Sequence, residues 1–161
     1  MDTTRRSVLH LCRDLEYRGG VEVVLYEFLR HNTQFRNVLV ATEGVPGERT
    51  RRLRGQGVEV IYVAGSFLDK LRQVNSLIRS MKQPPILHCH LFRPECLGFF
   101  VRGCHAKLTT KYCTYASDSQ VGYGVAGWVR RQFDNRVLAP LVTLAFSDVI
   151  VITDELLRKW R

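Results

Sequence analysis

Apolar residues recur along this chain in two alternating rhythms. Short continuous runs read as buried strands: Ser7-Val8-Leu9-His10-Leu11-Cys12, Asn37 to Thr42, Val58 to Val63, Ile86 to His90, Lys107 to Tyr115 and Val149 to Ile152. Between them the spacing turns helical. Val21, Val24, Leu25, Phe28 and Leu29 form one stripe with Gly19-Gly20 at its mouth; Phe67, Leu68, Leu71, Val74, Leu77, Ile78 and Met81 form another, which Pro84-Pro85 terminates. Glu48 to Gln56 predicts a short basic helix closed by Gly57, and Pro94 opens an apolar helix carrying Leu97, Phe99, Phe100 and Val101 that Gly103 ends. Trp128, Val129, Phe133, Val137 and Leu141 predict a last full helix, bent or broken near Pro140. Strand and helix in alternation predict a parallel sheet wrapped by helices.

The 161 residues, 45% of them hydrophobic and 24% charged, suit one globular domain with a single core and leave little room for a second. No internal repeat and no apolar run near the ~18 residues of a membrane span is present; the longest, Leu138 to Phe146, is interrupted by Pro140. Met1 to Arg6 runs into the first strand without a secretory core, so a cytoplasmic setting is expected. The five cysteines contain no C-x-x-C pair and read as reduced thiols, most of them small core residues. His88, Cys89, His90, Cys96, Cys104, His105 and Cys113 crowd together, but strand alternation over 86–90 turns Cys89 away from both histidines. No compact ligand pair and no metal are expected there.

The net charge of +9 has a local source in Arg49, Arg51, Arg52 and Arg54 of the short second helix. A solvated face is the plain reading, and peripheral attraction to an anionic membrane at its inner face is the alternative. No aromatic-plus-basic pattern accompanies the charge, so nucleic acid is not an expected partner.

Ligands of open parallel sheets bind outside the carboxyl ends of the strands, which directs attention to three loops. Arg18-Gly19-Gly20-Val21-Glu22 follows the first strand, where bare backbone at a helix mouth lets amides approach a phosphate; an ordinary tight turn has the same look. Leu87-His88-Cys89-His90 ends the fourth strand. Its two histidines share a face, and His90, the later one, is expected to reach the open rim while His88 is the more buried. Gly122-Tyr123-Gly124-Val125-Ala126-Gly127 spells a dinucleotide fingerprint, but Ala116 to Gln120 separates it from its strand, against that motif's requirement.

In order and spacing, Val8-Leu9-His10-Leu11 with Gly19-Gly20-Val21-Glu22, then His88-Cys89-His90, then Ser147-Asp148-Val149-Ile150-Val151-Ile152-Thr153-Asp154-Glu155 resemble the amino-terminal domain of family 4 glycosyltransferases, over roughly Arg6 to Arg161. The resemblance implies a Rossmann-like three-layer α/β/α domain with a mainly parallel sheet of about six strands, one half of a GT-B fold. Residues 1–161 would be the acceptor-side half, a fragment or split subunit, with the donor-binding carboxyl-terminal domain absent. It implies transfer of a sugar from a nucleotide-sugar donor to an acceptor, silent until that missing domain or a partner subunit is supplied. Gly19 and Gly20 would approach the donor diphosphate, and His90 would stand at the cleft as the catalytic candidate. No metal cofactor is implied, because helix amides and basic residues offset the charge growing on the departing diphosphate. The histidine that the family often carries after the fifth strand is replaced around Tyr115. The alternative is a noncatalytic Rossmann-like module that binds a nucleotide or a partner protein.

Overall fold

The computed structural model describes residues 6–17, 19–111, 129 and 132–151. Strands β1 (Ser7–Cys12), β2 (Arg36–Ala41), β3 (Glu59–Tyr62), β4 (Ile86–His90), β5 (Ala106–Lys111) and β6 (Asp148–Val151) form one open sheet in the order β3-β2-β1-β4-β5-β6. Every pairing is parallel. The chain is thus an α/β protein of the Rossmann-like kind expected. The intervening helices are α1 (Gly20–His31), α2 (Glu48–Gly55), α3 (Phe67–Ser80), α4 (Phe92–Phe100) and the short α5 (Ala139–Thr143).

The central strands β1, β2 and β4 are buried on both faces, as strands inside a parallel sheet are, while Val149 and Ile150 of the edge strand β6 are exposed. Strand alternation sends Leu9, Leu11, Val38, Val40, Leu87 and Cys89 to the face covered by α3, α4 and α5, through Val74, Ile78, Leu97 and Val142. Cys12, Leu39, Ala41 and Val60 point the other way, onto Leu25, Tyr26 and Leu29 of α1 and Leu53 of α2. The apolar stripe expected on α1 is turned by about one position. Glu22, Leu25, Tyr26 and Leu29 are buried, whereas Val24 and Phe28 are about half exposed.

Helix ends follow local chemistry. Ser66 and Asp69 form a reciprocal capping box at the start of α3, Ser66 Oγ accepting from the Asp69 N–H at 3.3 Å and Asp69 Oδ2 accepting from the Ser66 N–H at 3.0 Å. Gly57 turns the chain out of α2 at a φ of 84°, a backbone that favours glycine. In α4 the close approach to β4 requires Gly98, because a Cβ there would collide with the Cys89 sulfur. The break expected near Pro140 takes the form of a π-turn over Asp134–Leu138. It leads directly into α5, where Pro140 sits in the first turn and its missing N–H costs nothing.

Among the described residues no helix is long and apolar enough to cross a membrane. The described cysteines are all free thiols, Cys12 and Cys89 buried and Cys96 and Cys104 partly so, and burial pushes all four upward. The G-x-G-x-x-G segment, Tyr115, Cys113 and the Thr153-Asp154-Glu155 turn lie outside the described residues.

Candidate functional site

The sheet order reverses direction between β1 and β4, the kind of switch point at which open parallel sheets hold their ligand crevice, outside the carboxyl ends of the strands. Gly19-Gly20 follows β1 and His90 is the last residue of β4, so both sequence candidates belong to the two strands that flank this point.

Gly19 is the N-cap of α1 and supplies no side-chain cap. The first turn instead folds back on itself. The Glu22 carboxylate accepts from its own backbone N–H and lies where a Cβ on Gly19 would meet it, at 2.5 Å from Oε2. Burial, with Asp14 nearby, raises the Glu22 carboxyl above its ordinary value. A Cβ on Gly20 would meet nothing within 4 Å, so the helix mouth is open on that side. The arrangement can receive an anion on backbone N–H groups, with Glu22 as the group to be displaced.

The loop after β1 is held in place by α2. Glu16 caps that helix: its Oε1 accepts from the N–H groups of Gly47 (3.0 Å) and Thr50 (2.9 Å) and from the Thr50 hydroxyl (2.9 Å). Its Oε2 accepts from the Arg49 N–H at 3.3 Å. Partial burial pushes the Glu16 carboxyl up, but the bonds from Thr50, Arg49 and Gly47 outweigh it and hold it below its ordinary value. Arg49 returns the contact, donating to the carbonyls of Leu15 (3.1 Å) and Tyr17 (2.8 Å). Of the other arginines on α2, Arg54 donates to the Val60 carbonyl at 2.7 Å, Arg52 pairs with Glu48, and Arg51 is exposed. Much of this basic cluster therefore serves the fold. At the same edge Glu43 joins Arg13 (2.6 Å) to Arg93 (2.9 Å), tying together the ends of β1, β2 and β4.

His90 does not reach the rim as expected. It is 2% exposed, and His88 is the more accessible of the pair. The reason is a third imidazole. Parallel register sets His10 of β1 directly beside His88 of β4, all three rings lie on the α1 face, and His90 stacks on His10 with centroids 5.5 Å apart. Phe28 of α1 closes over His10 edge-on at 5.7 Å. Leu91 occupies the rim instead, at a φ of 73° and ψ of 160°, a strained backbone for a residue with a Cβ and one that tends to mark functional sites.

Hydrogen bonds settle the ring tautomers. The Asn37 amide nitrogen donates to the Asn32 carbonyl (2.8 Å) and that of Phe35 (3.4 Å), which aims its oxygen at His10. His10 Nε2–H therefore donates to Asn37 Oδ1 at 3.2 Å, leaving Nδ1 as an acceptor for His90 Nε2–H, also at 3.2 Å. His88 Nε2 lies 2.6 Å from the Thr110 hydroxyl. Burial, reinforced by the neighbouring imidazoles, lowers His10 to about 3 and holds His90 well below its ordinary value; burial alone lowers His88 to about 4. All three are neutral near pH 7. They can hydrogen-bond or coordinate, but they do not supply an imidazolium.

On the opposite face of β5, Glu95 of α4 is buried with Lys111 at 2.6 Å and also accepts from the Thr109 hydroxyl. Glu16 and this pair did not stand out in the sequence, and His10 figured there only as part of the β1 run, without a site role. Only the strand register and helix packing bring each to its partners.

No protein-family profile matches the chain. No curated protein matches it by sequence. Among solved structures its backbone is similar to that of a mutant O-GlcNAc transferase of Thermobaculum terrenum, with a TM-score of 0.51 and 15% identity, over 71% of this chain and 22% of that one. At that identity the likeness is one of fold alone: the chain shares a Rossmann-like parallel sheet with that structure and spans about a fifth of its length.

Proposed function

We propose that this chain is the acceptor-side half of a sugar-nucleotide-dependent glycosyltransferase of the GT-B kind. The observation that carries this reading is the place of Gly19-Gly20: a helix mouth without a side-chain cap, open at Gly20, set where the sheet order reverses. The fold likeness to an O-GlcNAc transferase supports the reaction class, and the resemblance to family 4 sequences supports the assignment of halves.

In this reading a donor-binding domain faces the carboxyl edge of the sheet and delivers the diphosphate to the amides of α1, displacing Glu22. Donor charge is then met by backbone dipoles rather than by mobile side chains, which is the preorganised form of stabilisation for a departing anion. The edge ties from Arg13 through Glu43 to Arg93, and from Glu16 to α2, hold the loops so that little reorganisation accompanies binding. His90, buried against His10, supports the end of β4 from below the rim rather than touching the acceptor.

The test pairs the chain with its donor half, encoded in the same gene or by a partner subunit, and follows release of nucleoside diphosphate from a panel of nucleotide sugars. Release that depends on both halves and on an added acceptor is expected. A folded assembly that binds nucleotide but turns over none of the donors contradicts the proposal and leaves the noncatalytic module.

A further inference from the structure

We propose that His10, His88 and His90 form a three-imidazole binding site for a divalent transition metal of zinc's class, built on the α1 face of the sheet beneath the crevice. Each residue offers one ring nitrogen, and these three atoms lie within 4.8 Å of one another. The His10 Nδ1 to His90 Nε2 separation of 3.2 Å is close to the ~3.3 Å between two nitrogens bound tetrahedrally to one zinc ion at about 2.0 Å.

The surroundings have the form that metal-binding histidines need. A ligating imidazole donates its other N–H to an oxygen that fixes tautomer and orientation. His10 does so toward Asn37 Oδ1, itself locked by the carbonyls of Asn32 and Phe35, which leaves Nδ1 with its lone pair turned to the cluster. His88 is anchored through Nε2 on Thr110, leaving Nδ1 for coordination. His90 would bind as its Nδ1–H tautomer, with the Nε2 lone pair on the metal in place of its hydrogen bond to His10.

The donor set chooses the ion. Imidazole nitrogen suits zinc, cobalt, nickel and copper, whereas calcium and magnesium require oxygen ligands. Three ligands leave a fourth position, and His88 is the most open of the three, so water or an anion entering past it completes the shell and offsets the charge. This site was invisible from β4 alone, because turning Cys89 away removes one ligand while the neighbouring strand supplies another.

The experiment uses the tag-free, metal-stripped 161-residue chain. It is titrated with Co²⁺ alone, followed by visible absorption, and with Zn²⁺ alone, followed by thermal unfolding. One Co²⁺ per chain with a visible d–d band, displaced by Zn²⁺, and a Tm that rises with free Zn²⁺ are expected. The His31→Ala/His105→Ala double variant, which removes the other two histidines, should bind as the wild type does. Thr110→Val should weaken binding about 10- to 100-fold. His10→Gln and His88→Gln should abolish the band; should buried His10→Gln fail to fold, the more exposed His88→Gln decides. Absence of stoichiometric binding, binding that survives in folded His88→Gln, or binding lost with His31 and His105 overturns the proposal.

Discussion

Glu16 and Thr50 lie thirty-four positions apart, yet one carboxylate oxygen of Glu16 accepts both the backbone N–H and the hydroxyl of Thr50, each at 2.9 Å. Helix α2 has only Gly47 at its N-cap and no side-chain cap of its own, so the loop leaving β1 performs that service. The candidate site is positioned by this exchange, because the same loop leads to Gly19.

The exchange has a pH signature. The folded carboxyl of Glu16 lies below the ordinary glutamate value of 4.5, so its ionised form stabilises the fold above that value and the contribution is lost as pH falls through the lower folded value. Glu16→Gln should therefore flatten the acid side of the stability profile below about pH 4.5, and Glu16→Ala should cost about 1–2 kcal/mol at neutral pH. Urea unfolding across pH 3–7 measures both; parallel profiles for wild type and Glu16→Gln would show that the cap contributes nothing.

The Glu95–Lys111 pair makes a sharper stability test, since both groups are buried. Lys111→Met leaves a carboxylate without its cation inside the α4 face and should cost about 3–5 kcal/mol. Adding Glu95→Leu should recover most of that loss. Equal stability of the single and double variants by urea unfolding would contradict the assignment.

Gly98→Ala should destabilise by about 1–3 kcal/mol, because the added methyl meets the Cys89 sulfur where α4 crosses β4. Cys89→Ala in the same chain should relieve part of the penalty, a coupling that a double-mutant cycle reads directly. Additive effects would mean that the two positions do not meet.

For the histidines, the structure reverses the order of burial expected from the sequence. His90→Ala opens a cavity and leaves His10 Nδ1 without its donor, so it should cost about 2–4 kcal/mol in metal-free buffer, and His88→Ala less. Chelator-treated variants unfolded in urea decide the order. A greater loss for His88→Ala would restore the original expectation.

What could be read from the chain, and what could not, divides along physical lines. The bounds of β1 and β4 follow directly from their unbroken apolar runs, and alternation with 3.6-residue stripes led to the parallel sheet. The facing of α1 is not legible in the sequence because Glu22 enters the interior at the helix mouth, where its carboxylate, meeting its own backbone N–H, competes with Val21 for the buried face. His90 was placed at the rim because strand alternation gives a face but not the depth. Cross-strand register stacks His10 on His90, helix packing brings Phe28 over His10, and the strained Leu91 takes the rim. Glu16 gave no signal, since its partners begin thirty-one positions away.

The central claim is that the mouth of α1 at Gly19-Gly20 receives the donor diphosphate, and Gly20→Val tests it most directly. A Cβ at Gly20 meets nothing in the folded chain, so the variant should keep its thermal stability while its side chain blocks approach to the helix amides. Loss of charge-assisted hydrogen bonds of about 1.5–3 kcal/mol predicts a fall in donor kcat/KM of roughly 10- to 100-fold in the two-domain assembly. Unchanged donor KM and kcat in folded Gly20→Val protein would contradict the account.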